Sequence, residues 1–136
     1  MKTEFHKIFS SDPDNLTKVE EFISEIADEY NIDDELKNSL TLSVSEASSN
    51  AMVHGNKLDP RKFVDIRISV NEDKIKVVIK DEGDGFEPES IPDPTAPENI
   101  LKDSGRGIFI MKNFLQDLKF NFTDTGTEVT LIISLK

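Results

Sequence analysis

The sequence predicts an α+β fold: a two-layer α/β sandwich with helices packed on one face of a mixed, mostly antiparallel sheet. Three observations predict it. Two amphipathic helical patterns occupy the first part of the chain. Two runs of alternating hydrophobicity, Val64-Asp-Ile66-Arg-Ile68-Ser-Val70 and Ile75-Lys-Val77-Val-Ile79-Lys-Asp81, follow as a hairpin. A second hairpin pattern, Lys119 to Thr123 and Val129 to Leu135 around Asp124-Thr-Gly126, closes the chain. A length of 136 residues makes this one domain, residues 1–136.

Thr3 to Phe9 reads as the first strand, with Phe5, Ile8 and Phe9 as its apolar positions. Ser11-Asp12-Pro13 then opens a helix, with a capping side chain followed by a proline whose fixed φ suits a first turn. Leu16, Val19, Phe22, Ile23, Ile26 and Tyr30 recur at helical spacing, with Glu20, Glu21, Glu25, Asp28 and Glu29 on a solvated face. Asn31-Ile-Asp-Asp34 breaks this helix and begins the next, whose N-terminal dipole either aspartate complements. Leu36, Leu40, Val44, Ala47 and Ala51 form its buried stripe, and it should end near His54-Gly55-Asn56. The hairpin of alternating strands turns at Asn71-Glu-Asp-Lys74 and delivers Asp81 to the end of its second strand.

Residues 82–104 break the pattern, with Gly83, Gly85 and four prolines and few large apolar residues. A loop of that length inside a compact domain is uncommon and is usually either functional or disordered. Ile108, Met111, Leu115 and Leu118 mark a further helix after Gly107.

Composition narrows the function. The formal charge of −11 argues against nucleic acid, whose phosphates require clustered Lys and Arg. No cysteine is present, which excludes disulfides and thiolate metal sites. Met1-Lys-Thr-Glu-Phe-His-Lys7 does not read as a signal peptide, and no apolar run approaches the ~20 residues of a membrane helix. The expectation is a cytoplasmic protein with no membrane partner.

Three islands carry chemistry. In Glu46-Ala-Ser-Ser-Asn50-Ala-Met-Val-His54-Gly55, the residues Glu46, Asn50 and His54 share a helix face at four-residue spacing. A carboxylate can accept a hydroxyl proton, and an amide oxygen one turn away can ligate a hard cation such as Mg²⁺. His54 suits either a helix-end cap or a place in the site. In Asp81-Glu-Gly83-Asp-Gly85-Phe86, Asp81 can accept a hydrogen bond from an adenine amino group while the glycines admit a planar base. In Gly105-Arg-Gly107-Ile108, glycines at a helix N-terminus allow close approach of phosphate. This is neither a Walker A loop, since no Gly-Lys-Ser/Thr occurs, nor a Rossmann fingerprint.

Together the islands resemble the GHKL ATPase family, which includes gyrase, heat-shock chaperones, histidine kinases and MutL. Within it the chain is most similar to the anti-sigma-factor serine kinases and their switch-kinase relatives, over nearly its whole length. Glu46-x-x-x-Asn50 with His54-Gly55 resembles the family's N box, and Asp81-x-Gly83-x-Gly85 its first glycine box. Gly105-Arg-Gly107-Ile108 resembles the second glycine box, and Gly126-Thr127-Glu-Val-Thr-Leu131 the closing strand motif.

The resemblance implies a Bergerat fold that binds ATP and Mg²⁺, with Glu46 as general base toward a serine hydroxyl and Asn50 as the Mg²⁺ ligand. It implies that Asp81, supported by Thr127, reads adenine, with Gly83 and Gly85 beside it. Gly105, Arg106, Gly107 and Ile108 would lie by the phosphates, and residues 82–104 would form the ATP lid. The implied partners are a STAS-domain anti-sigma antagonist as substrate, a sigma factor, and a second copy of the chain in a homodimer. Two alternatives stay open: a nucleotide-gated partner-binding switch without protein phosphorylation, and a stand-alone histidine-kinase-like catalytic domain. A complete histidine kinase is not expected, because His6 lies in a predicted strand and no helical hairpin carrying an acceptor histidine is evident.

Overall fold

Strict apolar-polar alternation makes a strand with one buried face, and the computed structural model realises it in the middle of the chain. The structure describes residues 3–83, 117–123 and 126–135. Strands β1 (Thr3–Ser10), β2 (Phe63–Val70), β3 (Lys74–Lys80), β4 (Asp117–Thr123) and β5 (Gly126–Ser134) form one sheet in the order β1-β2-β3-β5-β4. Every described pairing is antiparallel, where the sequence allowed for a mixed sheet. The cause lies in the connection between β1 and β2. Helices α1 (Leu16–Glu29) and α2 (Asp34–Asn50) make two passes between them, so the chain re-enters the sheet running opposite to β1.

The register lines the inward positions up across the strands: Phe5, Ile68, Val77 and Leu131 in one row, Ile66, Ile79 and Val129 in the next. The rows of β2, β3 and β5 are buried, and with Phe9 they form the floor of the core. Ile8 does not join them. The period of two that turns Phe5 and Phe9 inward turns Ile8 to solvent, where it is 56% exposed. The chain's last helix was expected to reach Leu118, yet Leu118 lies in β4, paired with Leu131. Leu118, Phe120 and Phe122 already alternate with a period of two, and that pattern prevails over the helical spacing that reaches back to Ile108.

Asp12 accepts the Asp14 N–H (3.0 Å) and caps a single 3₁₀ turn, Pro13–Asn15, from which α1 continues. This helix buries Val19, Phe22, Ile23, Ile26 and Ala27. Its position over β1 is set by aromatic contacts, Phe9 with Phe22 and Phe5 edge-on to Tyr30. Asn31 turns the chain with φ 55, a conformation that Asn tolerates. Asp33 then caps α2, its carboxylate accepting the Leu36 N–H (2.9 Å). Leu40, Val44 and Ala47 of α2 pack inward as expected, joined by Ser43 and Ser48, which no hydrophobic pattern marks. The Ser43 hydroxyl donates to the Ser39 carbonyl (2.8 Å) and so is satisfied within the helix.

Past Asn50, α2 widens into a single π turn, Ala51–Gly55, closed by the Asn56 N–H donating to the Ala51 carbonyl (2.8 Å). Such turns insert one residue into a helix and often stand at functional sites. Lys57 and Leu58 follow with φ 52 and 58 and lead the chain to β2. Among the described residues no helix is long and apolar enough to cross a membrane.

Candidate nucleotide site

Asp81 lies one residue past β3, a strand with neighbours on both sides, and its side chain is 1% exposed. Its N–H donates to the Thr127 carbonyl (3.0 Å), extending the β3–β5 ladder by one pair. Its carboxylate is held asymmetrically. Oδ1 accepts the N–H groups of Gly83 (3.0 Å) and Thr127 (3.1 Å), while Oδ2 takes neither. Burial pushes the Asp81 carboxyl above its ordinary pKa, opposed by those two N–H bonds and by the positive charge of Lys62. The Thr127 hydroxyl is buried and has no hydrogen-bond partner among the described residues. An orphaned hydroxyl and an uncommitted carboxylate oxygen on one cross-strand pair are groups that a ligand with an amino group can satisfy.

Glycines wall this pair. Gly55 packs on Asp81 Oδ2, Gly83 on the Gly55 carbonyl, and Gly126 (φ 150) on the Asp81 carbonyl, each too closely to admit a Cβ. The sequence reading gave Gly83 the task of admitting a base, and the structure adds that Gly83 lets the Asp81 turn meet the end of α2. Gly55 was read as a helix stop and as part of the N-box-like motif, and Gly126 as a turn residue and as part of the closing strand motif. Both prove to shape the carboxylate's surroundings.

Glu46 and Asn50 lie one turn apart on α2, both partly buried and without a hydrogen-bond or ion-pair partner among the described residues. Burial alone pushes the Glu46 carboxyl above its ordinary pKa. A desolvated carboxylate is a better proton acceptor near neutral pH than one in water. At 1.5 Å per helical residue, Glu46 stands about 13 Å along the helix from Gly55, and Asn50 about 7 Å. Asp81 therefore meets one end of α2 while Glu46 stands well along it, a separation that suits an extended nucleotide. His54 is exposed in the π turn, at the helix end where an imidazole faces the negative pole of the dipole.

The structure thus brings Asp81, Gly83 and Thr127 together and sets Glu46 and Asn50 along the adjoining helix. Gly85, Gly105, Arg106, Gly107 and Ile108 lie outside the described residues, as does nearly all of the 82–104 segment. The donors suit Mg²⁺ in its usual nucleotide-bound manner. Among the described residues no three acidic or histidine groups cluster as a cage, and Asn50 offers one hard oxygen while phosphate and water would supply the rest.

The chain is 31% identical over 101 residues to Serine-protein kinase RsbW of Bacillus licheniformis, covering 68% of this chain and 61% of that one. It is 36% identical over 94 residues to Anti-sigma F factor of Clostridium perfringens, covering 65% of this chain and 66% of that one. The chain thus spans less than two thirds of the length of either relative. Among solved structures, the histidine kinase domain of the Erythrobacter litoralis EL346 blue-light activated histidine kinase superposes with a TM-score of 0.58. That match has 22% identity and covers 90% of this chain and 60% of that one, a likeness of fold. The family model described as a histidine kinase-like ATPase domain matches residues 9–133, and the chain belongs to that GHKL family.

Proposed function

We propose that this chain is an ATP-dependent protein-serine kinase of the anti-sigma type, using Mg²⁺. The observation that carries the reading is the desolvated Glu46 carboxylate one turn before Asn50, on a helix whose far end abuts Asp81. Nucleotide binding alone requires no base at that position. The names of the two relatives support the same reading.

Asp81 accepts the adenine amino group through Oδ2, with the Thr127 hydroxyl beside it and Oδ1 anchored by backbone. Asn50 contributes the protein ligand to Mg²⁺, which offsets phosphate charge when bound. Glu46 orients a serine hydroxyl and takes its proton as the serine oxygen bonds to the γ-phosphorus. The bond from that phosphorus to the β-phosphate oxygen breaks, and ADP leaves. The chain's part is mostly positioning and charge compensation, as in phosphoryl transfer generally. Gly85, Gly105, Arg106, Gly107 and Ile108 belong to the phosphate end of this proposal, and residues 82–104 to its lid. The proposed substrate is a serine on a STAS-domain antagonist, and the proposed partners are a sigma factor and a second copy of the chain. The proposed setting is the cytoplasm.

The test is incubation with γ-labelled ATP and a candidate antagonist, followed by identification of the labelled residue. Phosphoserine is the expected product. Phosphohistidine would instead mark a histidine-kinase-like catalytic domain. ATP-dependent partner binding without transfer would mark a nucleotide-gated switch.

A further inference from the structure

Asn56 is 1% exposed and has no part in the proposed chemistry. A buried amide needs partners for both its ends. Here they come from separate parts of the chain. Nδ2 donates to the Ser11 hydroxyl (2.7 Å) and to the Phe63 carbonyl (3.1 Å), and Oδ1 accepts the Glu82 N–H (2.8 Å). The orientation of the amide follows from these partners, since a carbonyl must face its NH₂ and an N–H its oxygen. Ser11 is itself fixed, its hydroxyl donating to the Lys62 carbonyl (2.9 Å). The backbone N–H of Asn56 closes the π turn on Ala51. One residue therefore joins the end of α2, the segment leaving β1, the start of β2 and the residue directly after Asp81.

The consequence falls on Asp81. Its turn is pinned at Glu82 by Asn56 and at Gly83 by its own Oδ1, so the peptide units on the C-terminal side of the carboxylate are held from two directions. We propose that Asn56 is a positioning residue for adenine recognition: it fixes the Asp81-Glu82-Gly83 turn against α2 so that Oδ2 keeps the place from which it meets the 6-amino group. This inference rests on the adenine reading of Asp81 given above.

The experiment is calorimetric titration of the full chain with ATP and with purine riboside triphosphate, which is identical except that it lacks the 6-amino group. The wild type should prefer ATP by about tenfold or more, the range of a hydrogen bond to a charged group. Asn56→Ala should lose most of that preference while its affinity for the purine analogue changes less than about twofold. Equal weakening of both ligands would reduce Asn56 to general structural support and overturn the inference, as would an undiminished preference for ATP. A wild type without preference would remove the adenine reading itself, and the role of Asn56 with it. Should Asn56→Ala fail to fold, Ser11→Ala carries the test, because it removes one acceptor of the amide and touches nothing at Asp81. It should reduce the preference by about threefold, and full preference in that variant overturns the inference.

Discussion

Oδ2 of Asp81 fills the place where a Cβ on Gly55 would stand, so the end of one helix walls the carboxylate in. Asp81 cannot yield to a larger neighbour by rotating without giving up the Gly83 and Thr127 N–H bonds on its other oxygen. Gly55→Ala should therefore cost about 1–3 kcal/mol of stability, the range for overpacking a filled site. ATP affinity should fall at the same time by about tenfold or more. Thermal unfolding and titration calorimetry on one preparation check both.

Asp81→Asn separates stability from binding. The amide oxygen can keep both N–H bonds at the Oδ1 position while NH₂ replaces Oδ2, so the ligand-free protein should be no less stable than wild type. Facing an adenine amino group, that NH₂ sets donor against donor, and ATP binding should be lost. Wild-type affinity in this variant would break the assignment.

The two perturbed carboxyls also set a pH dependence. Asp81 and Glu46 are both raised by burial from ordinary values of 3.8 and 4.5. As pH rises from those values through the folded-state values, the unfolded chain has released protons that the folded chain still holds. The contribution of these groups to stability therefore falls with rising pH across that window and returns on acidification. Denaturant titrations of wild type and of the double variant Glu46→Gln/Asp81→Asn should differ in slope there, the variant being flatter.

Glu46→Gln should leave ATP affinity near wild type and reduce phosphoryl transfer by about 10²–10⁴-fold, the usual range for a general base. In the wild type the acid limb of the rate should fall above the ordinary glutamate pKa, because the base is raised. Single-turnover rates against pH measure both, and unchanged turnover in the variant would remove Glu46 as base.

Thr127→Val and Ser48→Ala make a contrasting pair, since both remove a buried hydroxyl that has no partner among the described residues. Each should leave the ligand-free protein as stable or stabilise it by about 1 kcal/mol. Thr127→Val alone should weaken ATP binding, by about three- to tenfold. Equal nucleotide affinity in the two variants would show that Thr127 does not touch the base.

The elements of the fold were legible where periodicity was strong. Val64 to Val70 and the Leu40–Val44–Ala47 stripe declare their faces by spacing alone. Leu118 was misplaced because four apolar residues at helical spacing overlap a short alternating run, and register with β5 decides between them. Of the candidate site, Glu46, Asn50 and Asp81 stand out in the sequence as residue types suited to a task, whereas Thr127 enters only through the family resemblance. The contacts that make Asp81 asymmetric were not legible there. The Gly83 N–H on Oδ1 is local, but the Thr127 N–H on the same oxygen and the glycine that presses on the other come from tens of residues away and leave no local pattern. Asn56 is the extreme case, a polar residue in a loop-like stretch whose importance lies wholly in partners at positions 11, 63 and 82.

The π turn after Asn50 locks two halves of the molecule in phase. Each helical residue advances the backbone by about 100°. Deleting one residue between Asn50 and Gly55 to restore a regular helix would leave Glu46 and Asn50 untouched, yet swing Gly55 and Asn56 away from Asp81. A single-codon change there would uncouple the Glu46–Asn50 face of α2 from Asp81 without altering either set of side chains. Length is thus a constraint on those five positions as a group, in addition to the glycine that position 55 requires.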